Sequence, residues 1–365
     1  DYTNAYIYHA WIAPNQDVFF LVVENGNRYF LYRAKAGTYT VGSDAGYSNK
    51  RASLALGLQG GTQADQCRIF TSKALCFADV NGAAHIFMAE YNVSTGRVSG
   101  TGGAGKDQVL CHRSTDGGAT FSVFLEFNTS GSHEVDHFHG VVQCPYSKLI
   151  YLMTGDNGAE NAVIVYNGTA AAVAANTPLA TIATTAGYKV LRGSELHRYT
   201  DLCFGPQTVY SIPDADTEAS DTATTAYVST VMDKMCDYAS AVAPVDRVDN
   251  LPPAISLQTR TKAALMLSFC TTIARAAGNA FLEMWSADYE GGSWTRIARF
   301  QNQHPSSAGV AKTMFEDNLG RVWISGTTYA NGLSFWAAHS NNNQSSALVL
   351  TMTQGKAQSL LYWGV

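Results

Sequence analysis

One short turn unit recurs between strand-like runs, and it constrains the fold more than any other feature of the chain. Its clearest copy is Ser114-Thr115-Asp116-Gly117-Gly118-Ala119-Thr120-Phe121, set between runs at 108–113 and 122–127. A second copy, longer by one residue, is Ser286-Ala287-Asp288-Tyr289-Glu290-Gly291-Gly292-Ser293-Trp294. A worn third copy is Arg33-Ala34-Lys35-Ala36-Gly37-Thr38-Tyr39. In such a unit the Asp accepts backbone N–H bonds inside the turn and Gly supplies the positive φ. The closing aromatic tucks beneath the turn. The unit caps a β-hairpin, and its recurrence implies a chain built from repeated hairpins.

The rest of the sequence agrees. Runs such as 18–23, 28–32, 85–88, 149–153, 162–166 and 321–324 are rich in Val, Ile, Phe and Tyr, and Gly, Asn, Asp and Ser turns separate them. That pattern predicts an all-β chain. The stretches 170–175 and 219–235 tolerate helix, yet Thr, Asn and Asp flank both, so they read as insertions or loops. No shift of composition marks a boundary, and 1–365 is expected to be a single domain.

Composition narrows the function. Only 15% of residues are charged and the net charge is −5, with no basic run, which argues against nucleic acid. No apolar stretch approaches the ~18 residues of a membrane span. A surface carried by Ser, Thr, Asn, Gln and Gly suits an extracellular, secreted or virion protein. The chain opens at Asp1 on what reads as folded sequence, as a processed chain or a piece of a larger one would. The seven cysteines have no metal-type spacing and an odd count, so most read as small buried hydrophobes. Cys67 and Cys76 are near enough in sequence for a local disulfide.

The turn unit resembles S-x-D-x-G-x-T-W/F, the Asp-box or BNR repeat of sialidase-like β-propellers. The resemblance implies a single propeller of about seven four-stranded blades (six to eight), at ~45–50 residues each. It also implies that Asp116 and Asp288 mark the fold and do no chemistry. Between 84 and 216 the chain is similar to a class of such propellers in its order of elements. Glu90-Tyr91 is followed by the turn unit, Asp136-His137-Phe138-His139-Gly140, Gly155-Asp156, His197-Arg198-Tyr199, Asp201, and Asp214-Ala215-Asp216.

His137 and His139 share one face of a strand, with Phe138 on the other. Two imidazoles so placed suit a divalent metal, an acid–base pair, or hydrogen bonding in a wet channel. Asp156 and Asp136 are the best oxygen ligands to complete a metal site; His133 reads as lying on the loop entering that blade. Asp156 also fits an ordinary Asp-Asn-Gly turn. Glu90 ends an apolar run, a costly place for a carboxylate that is neither used nor paired. Arg198 can grip a carboxylate bidentately, and Tyr199 can pass a proton when a cation lowers its pKa.

Sialidase chemistry is disfavoured, because Arg68-Ile69-Phe70 lacks the Pro of the sialidase signature and no arginine triad assembles. The loose similarity to propeller polysaccharide lyases implies β-elimination of an acidic glycan. His137, His139, Tyr199 and Arg198 would then be catalytic, and Glu90, Tyr91, Arg198 and Asp214 would bind substrate. Hydrolysis by a pair among Glu90, Asp156 and Asp214 stays open. The other class is a non-catalytic glycan-binding head, such as a phage tail receptor-binding domain within a virion assembly.

Overall fold

The computed structural model describes residues 6–24, 28–37, 54–56, 67–69, 72–92, 108–128, 135, 137–155, 161–170, 172–192, 199–204 and 209–213, and then the strands between 226 and 352. The chain divides into two compact units, 1–144 with 148–193, and 145–147 with 194–365.

The described residues form antiparallel sheets with almost no helix. The first unit holds three four-stranded sheets. Sheet one runs β1 (Tyr6–Ile12), β2 (Val18–Glu24), β3 (Arg28–Ala34) and β4 (Leu54–Ala55). The small strands β5 (Cys67–Arg68) and β8 (Tyr91–Asn92) pair with each other. Sheet two takes β6 (Leu75–Val80), β7 (Ala83–Ala89), β9 (Gln108–Ser114) and β10 (Ser122–Asn128). Sheet three takes β11 (His137–Gln143), β12 (Ile150–Gly155), β13 (Ala162–Tyr166) and β14 (Tyr188–Arg192). The second unit repeats the meander three times: β15 (Tyr199–Phe204) to β18 (Asp246–Val248), β19 (Ala254–Thr259) to β22 (Thr295–Gln301), and β23 (Ala311–Glu316) to β26 (Ser346–Met352).

Two expectations are corrected. The stretch 219–235 contains a strand, β17 (Ala226–Ser229), paired on both sides, because Tyr227 and Val228 favour extended backbone over the helix that its alanines suggest. Cys76 is a free thiol, as are Cys111 and Cys144, so no Cys67–Cys76 bridge forms. Burial pushes Cys76 up to about 12. Burial first, then the neighbouring Glu90 and Cys76, push Cys111 well above its ordinary value, leaving inert core thiols. The described residues of 170–175 form neither helix nor strand, and one short helix follows, α1 (Leu179–Ile182).

Period-2 alternation sets the packing of the first unit. In sheet two, Cys76, Ala78, Val80, Phe87, Ala89, Val109 and Cys111 join the core shared with sheet three. Their sequence neighbours Leu75, Ile86 and Met88 join the core shared with sheet one. Sheet two is thus covered on both faces.

The turn unit does what its residues demand. Asp116 Oδ1 accepts the Ser114 hydroxyl at 2.8 Å and the Ala119 and Thr120 N–H groups at 3.0 Å each. Asp116 Oδ2 accepts the Thr120 hydroxyl at 2.6 Å, and the Ser114 hydroxyl accepts the Gly118 N–H at 2.7 Å. These bonds, led by that from the Thr120 hydroxyl, hold the Asp116 carboxyl well below the usual carboxylate range. The worn third copy, with Lys35 in place of an acid, borrows its carboxylate from the β1–β2 turn. Asp17 accepts the Ala36 N–H at 2.8 Å and Arg33 Nε at 2.7 Å. Burial raises the Asp17 pKa, but these bonds and one from Asn15 more than offset it. Copies one and three lie on the link between third and fourth strands, as do the ends of the second copy, whose residues 288–294 lie outside the described residues.

Gly118 has φ +86°, and a Cβ there would stand 2.5 Å from the Phe19 ring, whereas at Gly82 (φ +82°) it would meet nothing within 4 Å. Gly82→Ala should therefore cost about 1–2 kcal/mol from the left-handed backbone alone. Gly118→Ala should add an overpacking cost of about 1–3 kcal/mol. Urea unfolding midpoints compare the two; equal losses would show that Phe19 does not support the turn. A second outcome concerns His9, which is buried against Trp11 with its Nδ1 unbonded. Burial pushes its pKa from 6.5 down to about 3. Between these values only the unfolded chain binds the proton, so stability falls as pH drops through the window, by about 1.4 kcal/mol per pH unit. His9→Leu should flatten that part of a melting-temperature profile.

Candidate functional site

The polar residues that gather in the first unit sit where β7, β9 and β11 meet. Glu90 directly follows β7 and is fully buried. Its main chain donates to the Leu110 carbonyl at 3.0 Å and accepts the Phe138 N–H at 3.0 Å. One carboxylate oxygen lies 2.8 Å from His112 Nε2 and the other accepts the Leu110 N–H at 3.3 Å. Four bonds at one residue thus tie the end of β7 to β9 and β11.

His112 is 5% exposed and went unnoticed in the sequence, where 108–113 reads as an ordinary apolar strand. The available signal was alternation: His112 pairs across with Met88, so it shares a face with Glu90.

His137 and His139 open β11. Their Nε2 atoms stand 3.2 Å apart and their ring centroids 5.0 Å. The register slips between Phe138 and Gly140, which makes His139 the extra residue of a β-bulge. Gly140 lets the strand continue past this point: a Cβ there would come within 3.1 Å of both Lys73 and Met153. The Tyr91 ring completes the group, 4.2 Å from His137 and stacked at 6.4 Å on His139. His137 and His139 are 3% and 1% exposed, so Tyr91, half-buried, is the most open member.

The structure therefore brings together Glu90, Tyr91, His137 and His139 of the expected residues, with His112 added. Tyr199 begins β15 in the other unit, fully buried, and Asp201 two residues on is also buried, accepting the Leu202 N–H at 2.8 Å. His133, Asp136, Asp156, His197, Arg198, Asp214 and Asp216 lie outside the described residues. Two imidazole nitrogens bound at about 2.0–2.1 Å to one tetrahedral ion stand roughly 3.3–3.4 Å apart. The His137–His139 separation fits two ligands of such an ion. Among the described residues no group of three His, Cys, Asp or Glu is placed to hold one.

No family model matches the chain, and no curated protein matches it. Solved structures do. A candidate 6-phosphogluconolactonase from Bacteroides uniformis is 9% identical, with a TM-score of 0.50 over 94% of this chain and 84% of that one. A puromycin-hydrolyzing peptidase of Mycobacterium tuberculosis is 10% identical, TM-score 0.50, over 91% of this chain but only 45% of that one. The SapL1 lectin, solved with alpha methyl fucoside, is 11% identical over 93% and 95%, and its TM-score of 0.43 is too low to bear on fold or function. At these identities the likeness is one of fold. Among the described residues no helix is long and apolar enough to cross a membrane.

The Glu90–His112 pair yields a stability prediction. Glu90→Ala strands a buried imidazole and the Leu110 N–H, and should cost about 2–4 kcal/mol, since each unsatisfied buried group costs about 1–3 kcal/mol. Glu90→Gln keeps an acceptor and a donor and should cost clearly less. Equal losses in chemical denaturation would show that the carboxylate is not what holds the junction.

Proposed function

We propose that the chain is a single β-propeller over 1–365, with its four-stranded sheets as blades, and that it degrades an acidic polysaccharide by β-elimination. The meander of four antiparallel strands, six times repeated among the described residues, is the blade pattern. The observation that carries the chemistry is the pair of imidazoles with facing Nε2 atoms 3.2 Å apart beside a partly open tyrosine.

Elimination needs a base for the proton α to the uronate carboxyl, an acid for the leaving oxygen, and a cation on the carboxylate. A proton shared between His137 and His139 leaves one ring nitrogen basic. Tyr91, in contact with His137, is the group best placed to meet a sugar ring and to give the leaving oxygen its proton. Tyr199 keeps its role as the other candidate acid, and Arg198 its role on the carboxylate. Asp214 stands with Tyr91 as a substrate contact, while Glu90 holds the frame.

As an alternative to the shared proton, the same Nε2 separation fits a divalent ion on His137 and His139, with Asp156 the expected third ligand. That ion would supply the positive charge for the uronate. Elemental analysis of protein purified without chelator or histidine tag checks it. A metal-free sample whose melting temperature ignores EDTA and added zinc removes the idea.

The second reading, a glycan-binding head without turnover, draws on burial. Groups only 1–3% exposed, like His137 and His139, suit a structural hydrogen-bond pair as well as a reacting one. Incubation with a panel of acidic polysaccharides, followed by the absorbance of the unsaturated uronate, separates the readings. Elimination predicts rising absorbance that His137→Gln, His139→Gln or Tyr91→Phe lowers by about 10²–10⁴-fold. Tight binding for hours with no new absorbance and no shortening of the glycan leaves the binding head.

A further inference from the structure

Away from the histidine pair, the sheet-two face that packs on sheet three ends in two nitrogen-rich side chains that nothing offsets. Arg113 is directly opposite Phe87 in the β7–β9 ladder, and His85 lies two residues before Phe87, on the same face. The Arg113 guanidinium sits 5.4 Å from the centre of the Phe124 ring, and the His85 ring 6.2 Å from that of Phe87. Both side chains are half-buried at the solvent edge of the aromatic wall formed by Phe87, Phe124 and Tyr166. Arg113 Nε and His85 Nδ1 are buried nitrogens without a hydrogen-bond partner.

Buried nitrogens in native structures are almost always bonded, so two adjacent exceptions call for an explanation. No described carboxylate forms an ion pair with Arg113, whereas Arg33, beside another turn unit, is paired with Asp17. The two groups also act against each other: burial first, and then the charge of Arg113, lower the His85 pKa. Arg113 supplies a fixed positive charge and N–H donors, the neutral His85 ring one further N–H, and no described carboxylate pairs with Arg113, a set that an oxyanion matches. Arg suits it best, because its planar fork meets two oxygens at once.

We propose that Arg113 and His85 form a binding site for the sulfate or carboxylate group of an acidic glycan. The aromatic edge beside them offers an apolar surface for the sugar ring. Along β7, Glu90 lies five residues or roughly 17 Å from His85 and three residues or roughly 10 Å from Phe87, the residue opposite Arg113, and Glu90 is on the other face, so this site is separate from the histidine pair. It stands whether the protein cleaves glycan or only holds it.

Calorimetry with inorganic sulfate, and with one oligosaccharide in sulfated and unsulfated forms, tests the assignment on the full chain. The wild type should bind sulfate and the sulfated oligosaccharide, and should bind the unsulfated form at least tenfold more weakly. Arg113→Gln keeps the side-chain stem on Phe124 and should weaken both anionic ligands by about tenfold or more. Arg113→Lys should restore part of the loss, and His85→Ala should weaken binding severalfold at an unchanged melting temperature. His137→Gln should leave this binding intact, so the assignment and the elimination reading fail separately. The assignment is overturned if neither anionic ligand binds, or if Arg113→Gln and His85→Ala, both folded, bind as the wild type does. Binding of free sulfate without preference for the sulfated sugar overturns the glycan as its source.

Discussion

Glu90 is where the first unit is pinned together. A carboxylate with no exposed surface is costly to bury, and the cost is met only if each oxygen finds a donor. Here His112 and the Leu110 N–H provide them, while the Glu90 main chain bonds Leu110 and Phe138. The bond to the Phe138 N–H matters most for the site, because Phe138 stands between His137 and His139. The entry of β11, and with it the separation of the two imidazoles, is set from sheet two. Tyr91 follows Glu90 in the chain, so the same residue also fixes the ring that covers His137.

Around this junction, packing leaves little freedom. Sheet two buries both faces, one against sheet one and the other against sheet three, and each strand residue is committed to one of the two cores. A one-residue slip would carry Met88, His112 and Glu90 to the face of Phe87 and Cys111. Bulges are the allowed irregularity: three fall between third and fourth strands, and those of the first strands recur at one place. The first strands β1, β11, β15, β19 and β23 each slip register after their first or second paired residue. The skipped residues are Tyr8, His139, Thr200, Ile255 and Lys312, which share no chemistry, so the repeat is one of backbone.

That contrast explains what the sequence could show. The hairpin turn was legible because its geometry needs particular residues: a short acceptor at Ser114 and Asp116, and glycines at positive φ. Strands were legible through their apolar runs, including 150–153 and 162–166, continuous because every residue of β12 and β13 is buried. The bulges were not legible, since any residue can fill them. His112 was hidden for another reason. Its partner Glu90 is 22 residues away, and only the β7–β9 pairing joins them. β17 was masked by the alanines at 219, 223 and 226, whose helix preference is weaker than two paired edges.

Burial and chemistry pull in opposite directions at the histidine cluster, and Tyr91 is where they meet. Imidazoles held at 3.2 Å in a nearly dry setting interact strongly and lose little to solvent, which suits either a shared proton or a shared ion. The same dryness leaves them only 3% and 1% exposed. The half-buried Tyr91 ring is the open side of the cluster, 4.2 Å from His137. Glu90 plays another part beneath them. By engaging His112 and the Leu110 N–H, it fixes the entry of β11.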